Sequence, residues 1–457
     1  MKIPGLILLI LIIVVTGILT SISTKLSFLL LVLLMMTSVI LYKKRWLKDG
    51  LAFGLLAMIL ILPQFQLIMS VPFGISSAII FLSLILFIFR KGHVITDKFY
   101  IYSVFSIVAM SFSISNAVDL GRSISYIVLF VASVCIYAMF SNIKIGKEVN
   151  FLGNGFFAIW AVFIGFTLLQ KFASNIYDAV ISLVYPSNVL SAIQAWSYSD
   201  RIVGLGIHPG VNALIIVMLV FIVMFYLKQK LLRFIILAVS LYSVILTGNR
   251  SILVLFGAFI LLFFLLSSMQ NENKKNENLI INKIGKGLTM LLAIVGMVYF
   301  VINSSIAERF TDSASSESIG SRFELYEFAI SLFKENYLVG NGINNFVTYT
   351  EQIGGIGYLR EVTHAHNIFM QLLAETGIFG LVVFLLVVFL FLKIDYSFCI
   401  EALREKKFEK IILVFPSIIF MLNAITGNPT YTETTLLLFM CIRGLIKLEY
   451  ENKKLPL

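Results

Sequence analysis

Two histidines stand one residue apart in His364-Ala365-His366-Asn367, directly before a long apolar run. Imidazole exchanges a proton near neutral pH, which makes such a pair a candidate for acid–base chemistry. Asn367, Gln371 and Glu375 follow at i, i+4 and i+8, so on a helix they share one face. This polar stripe would run from the mouth of a helix into the membrane. An ionisable residue there marks either a functional site or a contact with a neighbouring helix. Gly377 and Gly380 leave room for another helix to come close. Upstream, Ser321-Arg322-Phe323-Glu324 carries a capping-box pattern. It predicts a helix with Arg322 in its first turn and with Phe323, Tyr326, Ile330 and Phe333 on one apolar face. A cation at that end opposes the helix dipole. Arg322 there either pairs with an acidic residue or joins the helix N-terminus in receiving an anion such as phosphate. Arg250, in the turn Thr247-Gly248-Asn249-Arg250, reads as an interface arginine snorkelling to headgroups or as a second phosphate clamp. Arg201, with His208-Pro209 just beyond it, is a further candidate on the same side.

No HExxH, no DxD and no carboxylate cluster with ligand spacing accompanies these residues, and His364-Ala365-His366 alone is too short to be a metal motif. No P-loop or GxGxxG precedes a helix. The expectation is an activity with no metal and no nucleotide cofactor.

The elements that must position these side chains are membrane helices. The chain has 457 residues, 59% hydrophobic and 13% charged, with a mean hydropathy of +0.98. A soluble domain carries about 25% charged residues. The composition excludes a soluble enzyme, a secreted disulfide scaffold and a disordered protein. Continuous apolar runs of ~20 residues match the hydrocarbon core of a bilayer and disfavour a β-barrel. They lie near 1–22, 26–42, 51–69, 73–89, 99–115, 120–140, 151–170, 209–227, 231–247, 251–268, 284–303, 367–392, 411–424 and 433–446. The predicted fold is all-α and polytopic, with about 14 transmembrane helices (12–14). Cys135, Cys399 and Cys441 form no CxxC pair and read as packing residues.

The net charge of +11 is distributed by side. Lys-rich connections such as Lys43-Lys44-Arg45, Lys144 with Lys147, and Lys274-Lys275 alternate with connections nearly free of Lys. The positive-inside rule makes the first set cytoplasmic, together with both termini. The segment 304–366 is then external. It holds four Arg and Lys residues against eight Asp and Glu, so no general basic patch invites nucleic acid. A loop this long is usually functional. A second long external segment, 171–208, is its expected neighbour.

The order and sidedness of these pieces resemble the O-antigen ligase/polymerase superfamily of bacterial membrane glycosyltransferases. The pattern of His366, ten residues, then Gly377 fits, as do the runs Ala374–Gly380 and Thr247–Ser251. Ser321-Arg322 with Gly340-Asn341-Gly342 and Phe346 resembles the loop segment that carries a second arginine, although Tyr326 stands where many relatives have Trp. Arg201 and His208-Pro209-Gly210 resemble the start of the preceding helix pair. The likeness covers residues 200–440 well; earlier residues match only in hydropathy. It divides the chain into N-terminal helices and a first external loop (1–200), a catalytic core with loop 304–366 (201–440), and a cytoplasmic tail (441–457).

The resemblance implies a GT-C-like, metal-independent, inverting glycosyltransferase of the cytoplasmic (inner) membrane, with its site on the external face. Donor and acceptor would be glycans on undecaprenyl diphosphate in a polymerase. In a ligase the acceptor would be another molecule. A chain-length regulator and a flippase are candidate partners beside membrane lipids. Within this chemistry Arg250 and Arg322 would clamp the diphosphate and His366 would be the general base. Arg201, His208, His364, Asn367 and Glu375 would bind substrate or support the site. The rival of another class is a lipid-linked oligosaccharide flippase, which should line a central cavity with charge and has no need of a long external loop.

Overall fold

A computed structural model describes residues 98–142, 149–182, 187–198, 201–206, 208–270, 314–355 and 363–451, together with Tyr185. Five of the expected spans, near 1–22, 26–42, 51–69, 73–89 and 284–303, lie outside the described residues. Among the described residues there are thirteen α-helices and no strand. They are α1 (Lys98–Ser113), α2 (Leu120–Ser141), α3 (Val149–Phe172), α4 (Ser174–Ser182), α5 (Ser187–Tyr198), α6 (Pro209–Tyr226) and α7 (Lys230–Thr247). Then follow α8 (Arg250–Gln270), α9 (Ala314–Glu335), α10 (Phe346–Gln352), α11 (Ile368–Arg404), α12 (Phe415–Thr426) and α13 (Glu433–Glu451). Among the described residues, eight stretches are long and apolar enough to cross a membrane: α1 to Asn116, α2, Leu152–Phe172 in α3, α6, α7, Arg250–Ser267 in α8, α11, and Phe408–Thr426. The chain is an all-α polytopic membrane protein. The ninth expected span in this region, near 433–446, is part of α13. That helix is buried from Thr434 to Leu448 and includes Arg443 and Lys447, so it is not among the eight.

The helices form two compact units. The first holds α3 to α7, α13 and α2 from Ile127 onward. Its centre is α6, buried continuously from Asn212 to Met224. A helix apolar on every face has no side to give to solvent or lipid, so it takes the middle. Polar side chains pin it and its neighbours: Asn212 Nδ2 donates to Thr167 Oγ1 (2.9 Å), and Trp160 Nε1 to Ser240 Oγ (2.8 Å). The expected external segment 171–208 folds into α4 and α5 around a core of Tyr177, Ile181, Tyr185, Val189, Ile193 and Val203.

The second unit holds α1, the start of α2, α8, and the chain from α9 to Asn428. Phe99 of α1 stacks on Phe391 of α11 (5.2 Å between centroids), and Phe259 of α8 meets Phe415 of α12 edge-on (5.0 Å). At 37 residues, α11 would be ~55 Å long if straight, nearly twice the hydrocarbon thickness. It breaks at Gly377, where φ 63° and ψ −166° are open essentially to glycine alone. The turn after α9 covers the break. Asn341 N donates to Ala374 O (3.1 Å), while Ile378 N and Phe379 N donate to Tyr337 O (2.9 Å) and Leu338 O (3.3 Å). A Cβ on Gly377 would stand 2.4 Å from Leu338 O, and one on Gly340 2.3 Å from Glu375 C. The glycines thus admit a loop backbone, where the sequence suggested a helix.

Two sequence expectations about α9 are corrected. The helix starts at Ala314, so Ser321-x-x-Glu324 lies inside it and Arg322 is more than two turns from its N-terminus. The dipole argument for an anion at Arg322 therefore falls. The buried face is Leu325, Ala329 and Leu332, packed with Phe346, Ala365 and Ala374. Phe323, expected on the packing face, is 63% exposed.

Candidate functional site

The second unit holds most of the expected residues, and around the start of α11 it brings together His364, His366, Asn367, Glu375 and Arg322. His366 sits in the link into α11 with φ 51°, a left-handed conformation that a non-glycine residue rarely adopts. Its Nε2 lies 3.2 Å from Thr363 Oγ1. The ring is half-buried. Burial first, and then the Arg322 guanidinium of α9, push its pKa below the ordinary 6.5. A neutral imidazole, able to accept a proton, is therefore the form present at pH 7. Arg322 is half-buried on α9, near enough to act electrostatically on His366.

His364 has a different setting. Its Nδ1 is 2.9 Å from Gln371 Nε2. Burial, with smaller contributions from the charges on His366 and Arg122, lowers its pKa to about 4, against a partial rise from the Gln371 bond. Gln371 is fully buried and sits at the centre of a chain of polar contacts. It donates to Glu375 Oε1 (3.0 Å) and accepts from Ala365 N (3.2 Å) and from Asn428 Nδ2.

Glu375 is 1% exposed. Asn344 N donates to its Oε2 (2.7 Å), and Phe346 N donates to its Oε1 (2.9 Å), beside the Gln371 amide. The carboxylate therefore anchors the turn into α10. Asn367 is the N-cap of α11, its Oδ1 accepting from Phe369 N (2.9 Å) and Met370 N (3.2 Å). With φ −155° it stands outside the helix. The expected three-residue stripe is thus Gln371 and Glu375 below a capping Asn367.

Arg250 is the first residue of α8 and half-buried, reached through Gly248 in the left-handed conformation (φ 65°). A guanidinium at a helix start, beside the positive end of the helix dipole, favours an anion in two ways.

Arg201 and His208 belong to the first unit, where both make structural contacts. Arg201 Nε donates to Thr247 O (3.2 Å), a carbonyl at the end of α7, and its guanidinium lies 4.9 Å from the Trp196 ring centroid. His208 caps α6, its Nδ1 accepting from Gly210 N (3.0 Å). Its ring meets Trp196 edge-on (4.9 Å).

Sequence reasoning missed three contributors. Thr363 had no motif to flag it. Asn428 lies 57 positions from the glutamine it binds. Arg122, at the start of α2, is bound to Asp119 (3.4 Å) and Glu351 (3.2 Å) and acts electrostatically on His364. Its place in the first turn of a span, beside a connection free of Lys, was the signal available. Among the described residues, no three His, Cys, Asp or Glu side chains are grouped to hold a metal ion.

No curated protein matches the chain. Residues 235–385 match the family described as O-antigen ligase, a stretch that includes Arg250, Arg322, His364, His366, Asn367 and Glu375. That match supports the likeness of this multi-pass membrane chain to the O-antigen ligase/polymerase superfamily, with residues 235–385 as the part that resembles an O-antigen ligase.

Proposed function

We propose that the protein polymerises undecaprenyl-diphosphate-linked oligosaccharide repeat units into a surface polysaccharide on the external face of the cytoplasmic membrane. The observation that carries this reading is the content of the family segment. Within 235–385, and within one compact unit, it holds a histidine kept neutral at pH 7 and two half-buried arginines. An acceptor hydroxyl attacks the anomeric carbon of the donor and loses its proton to His366. The bond between that carbon and the diphosphate oxygen breaks, and the configuration inverts. The departing diphosphate is already a good leaving group and needs charge stabilisation more than protonation. Arg250 and Arg322 supply it, Arg250 with help from the N-terminal amides of α8. Glu375 and Asn367 act at one remove: Glu375 anchors the turn into α10 and holds Gln371, and Asn367 caps α11 directly after His366.

A second reading, transfer of the finished glycan to a different acceptor, is favoured by the matched family, which is described as a ligase. Reconstitution with a purified lipid-linked repeat unit separates the two. A ladder of products supports the polymerase, and one transfer, only when a second acceptor is added, supports the ligase. Movement of the lipid between leaflets with no new bond overturns both. His366→Ala should abolish product at equal protein level, and Arg322→Lys should rescue poorly because an ammonium lacks the bidentate fork. Retained product in His366→Ala removes His366 as the base.

A further inference from the structure

The two neighbouring histidines have different partners, and the hydrogen bonds around Gln371 say what that difference does. The orientation of the Gln371 side-chain amide is fixed by groups that have only one role. Ala365 N–H can only donate, and it points at Oε1 (3.2 Å). Asn428 Nδ2 donates to the same oxygen. Glu375 Oε1, already an acceptor for Phe346 N–H, receives Nε2 (3.0 Å). Nε2 is therefore the amide nitrogen, and its second N–H points at His364 Nδ1, 2.9 Å away. A nitrogen that accepts a hydrogen bond carries no proton. The proton of neutral His364 must then be on Nε2, and a second proton on Nδ1 would set N–H against N–H. The surrounding charges act the same way: Arg122 from α2 and protonated His366 from the same link both oppose a charge on His364. Glu375 of α11 is the one acid in this chain of bonds, and the amide stands between it and the ring. Among the described residues His366 has no such partner; its bond is to the Thr363 hydroxyl, which can give or take a proton.

We propose that Gln371 is a positioning residue that makes the histidine pair unequal: it locks His364 as a neutral Nε2–H hydrogen-bond donor and leaves proton uptake to His366. The functional consequence rests on the proposed transferase reading; the tautomer itself does not. The sequence holds four histidines, so the full-length protein labelled with 15N-histidine in detergent micelles gives a spectrum of four imidazoles. The His364→Gln and His366→Gln variants assign their two signals. The expected result is His364 as the single Nε2–H tautomer at pH 8, unchanged at pH 6. In Gln371→Leu it should become a mixture of tautomers. A His364 signal in the Nδ1–H form, or one that protonates before His366, overturns the proposal, and the parent spectrum alone decides this even if the variant fails to fold. If product formation can be assayed, Gln371→Leu should add a second ionisation to the acidic limb of its pH profile; an unchanged profile overturns the functional half. Absence of transferase activity in the parent protein would sink the function reading and leave the tautomer assignment intact.

Discussion

Glu375→Gln removes a charge and one acceptor while keeping the shape of the side chain. Three N–H groups converge on the two carboxylate oxygens, Phe346 N and Gln371 Nε2 on one and Asn344 N on the other. A glutamine has one oxygen for these three donors. If that oxygen keeps the two-donor position, its amino group faces Asn344 N–H at a separation that was 2.7 Å. A hydrogen bond to a charged acceptor contributes ~1.5–3 kcal/mol, and an unpaired N–H away from water costs ~1–3 kcal/mol. These overlap, because the same loss is partly counted twice, and together suggest about 2–4 kcal/mol on the turn into α10. The carboxylate binds that turn directly, so the effect should be local. Hydrogen–deuterium exchange on the purified protein in micelles reads it from peptides covering 340–350. At ~1.36 kcal/mol per tenfold, protection there should fall by ~30- to ~900-fold. Peptides from α6 should change little. Protection within a few-fold of the parent, together with lost product formation, would refute the anchor and make Glu375 a group that acts on substrate.

Three further expectations follow from the same geometry. Gly377→Ala places a methyl 2.4 Å from Leu338 O at a backbone angle essentially reserved for glycine. It should lower the yield of folded protein by size-exclusion chromatography, at a cost of about 1–3 kcal/mol from the backbone alone; a parent-like elution profile and melting temperature would contradict the close approach. Because His366 must be neutral to accept a proton and its pKa is depressed, product formation should fall only as pH drops below ~6.5. A limb centred above that value would exclude it as the group seen. His364 has a folded pKa of about 4 against an ordinary 6.5, so the folded state refuses a proton that the unfolded state accepts. Its contribution is fully present above pH 6.5, declines as pH falls through that window, and is gone below pH 4. The full difference is on the order of 3 kcal/mol. His364→Phe should flatten the melting temperature across that window, and an unchanged slope would count against the burial of the ring.

Hydropathy made the membrane fold legible. In the described residues, eight of the nine expected spans are long and apolar enough to cross. α13 differs because Arg443 and Lys447 interrupt its apolar run, and a helix buried in protein can carry charges that one facing lipid cannot. The α9 start was misread for a local reason. Ser-x-x-Glu signals a cap only where the preceding residues leave the helix, and Ala314–Gly320 continue it although Ser315, Ser316, Ser318 and Gly320 are weaker helix formers. Its apolar face was ambiguous because Phe323, Tyr326, Ile330 and Phe333 compete with Leu325, Ala329 and Leu332 at equal periodicity, and only the packing partners choose. The His364–His366 segment was found because its residue types are rare in this chain. The anchor at Glu375 was hidden for the opposite reason: two of its three donors are main-chain amides, which any sequence supplies.

The break at Gly377 has a mechanical consequence. The amides of Ile378 and Phe379 are received by the carbonyls of Tyr337 and Leu338, two to three residues past the end of α9. Hydrogen bonding therefore runs from the close of α9 into the long remainder of α11, across a gap of forty residues in the chain. The turn that closes α9 is thereby tied by main-chain bonds to the first residues of α11 beyond its break. Moving that turn means either breaking those bonds or carrying the start of the second helical segment with it.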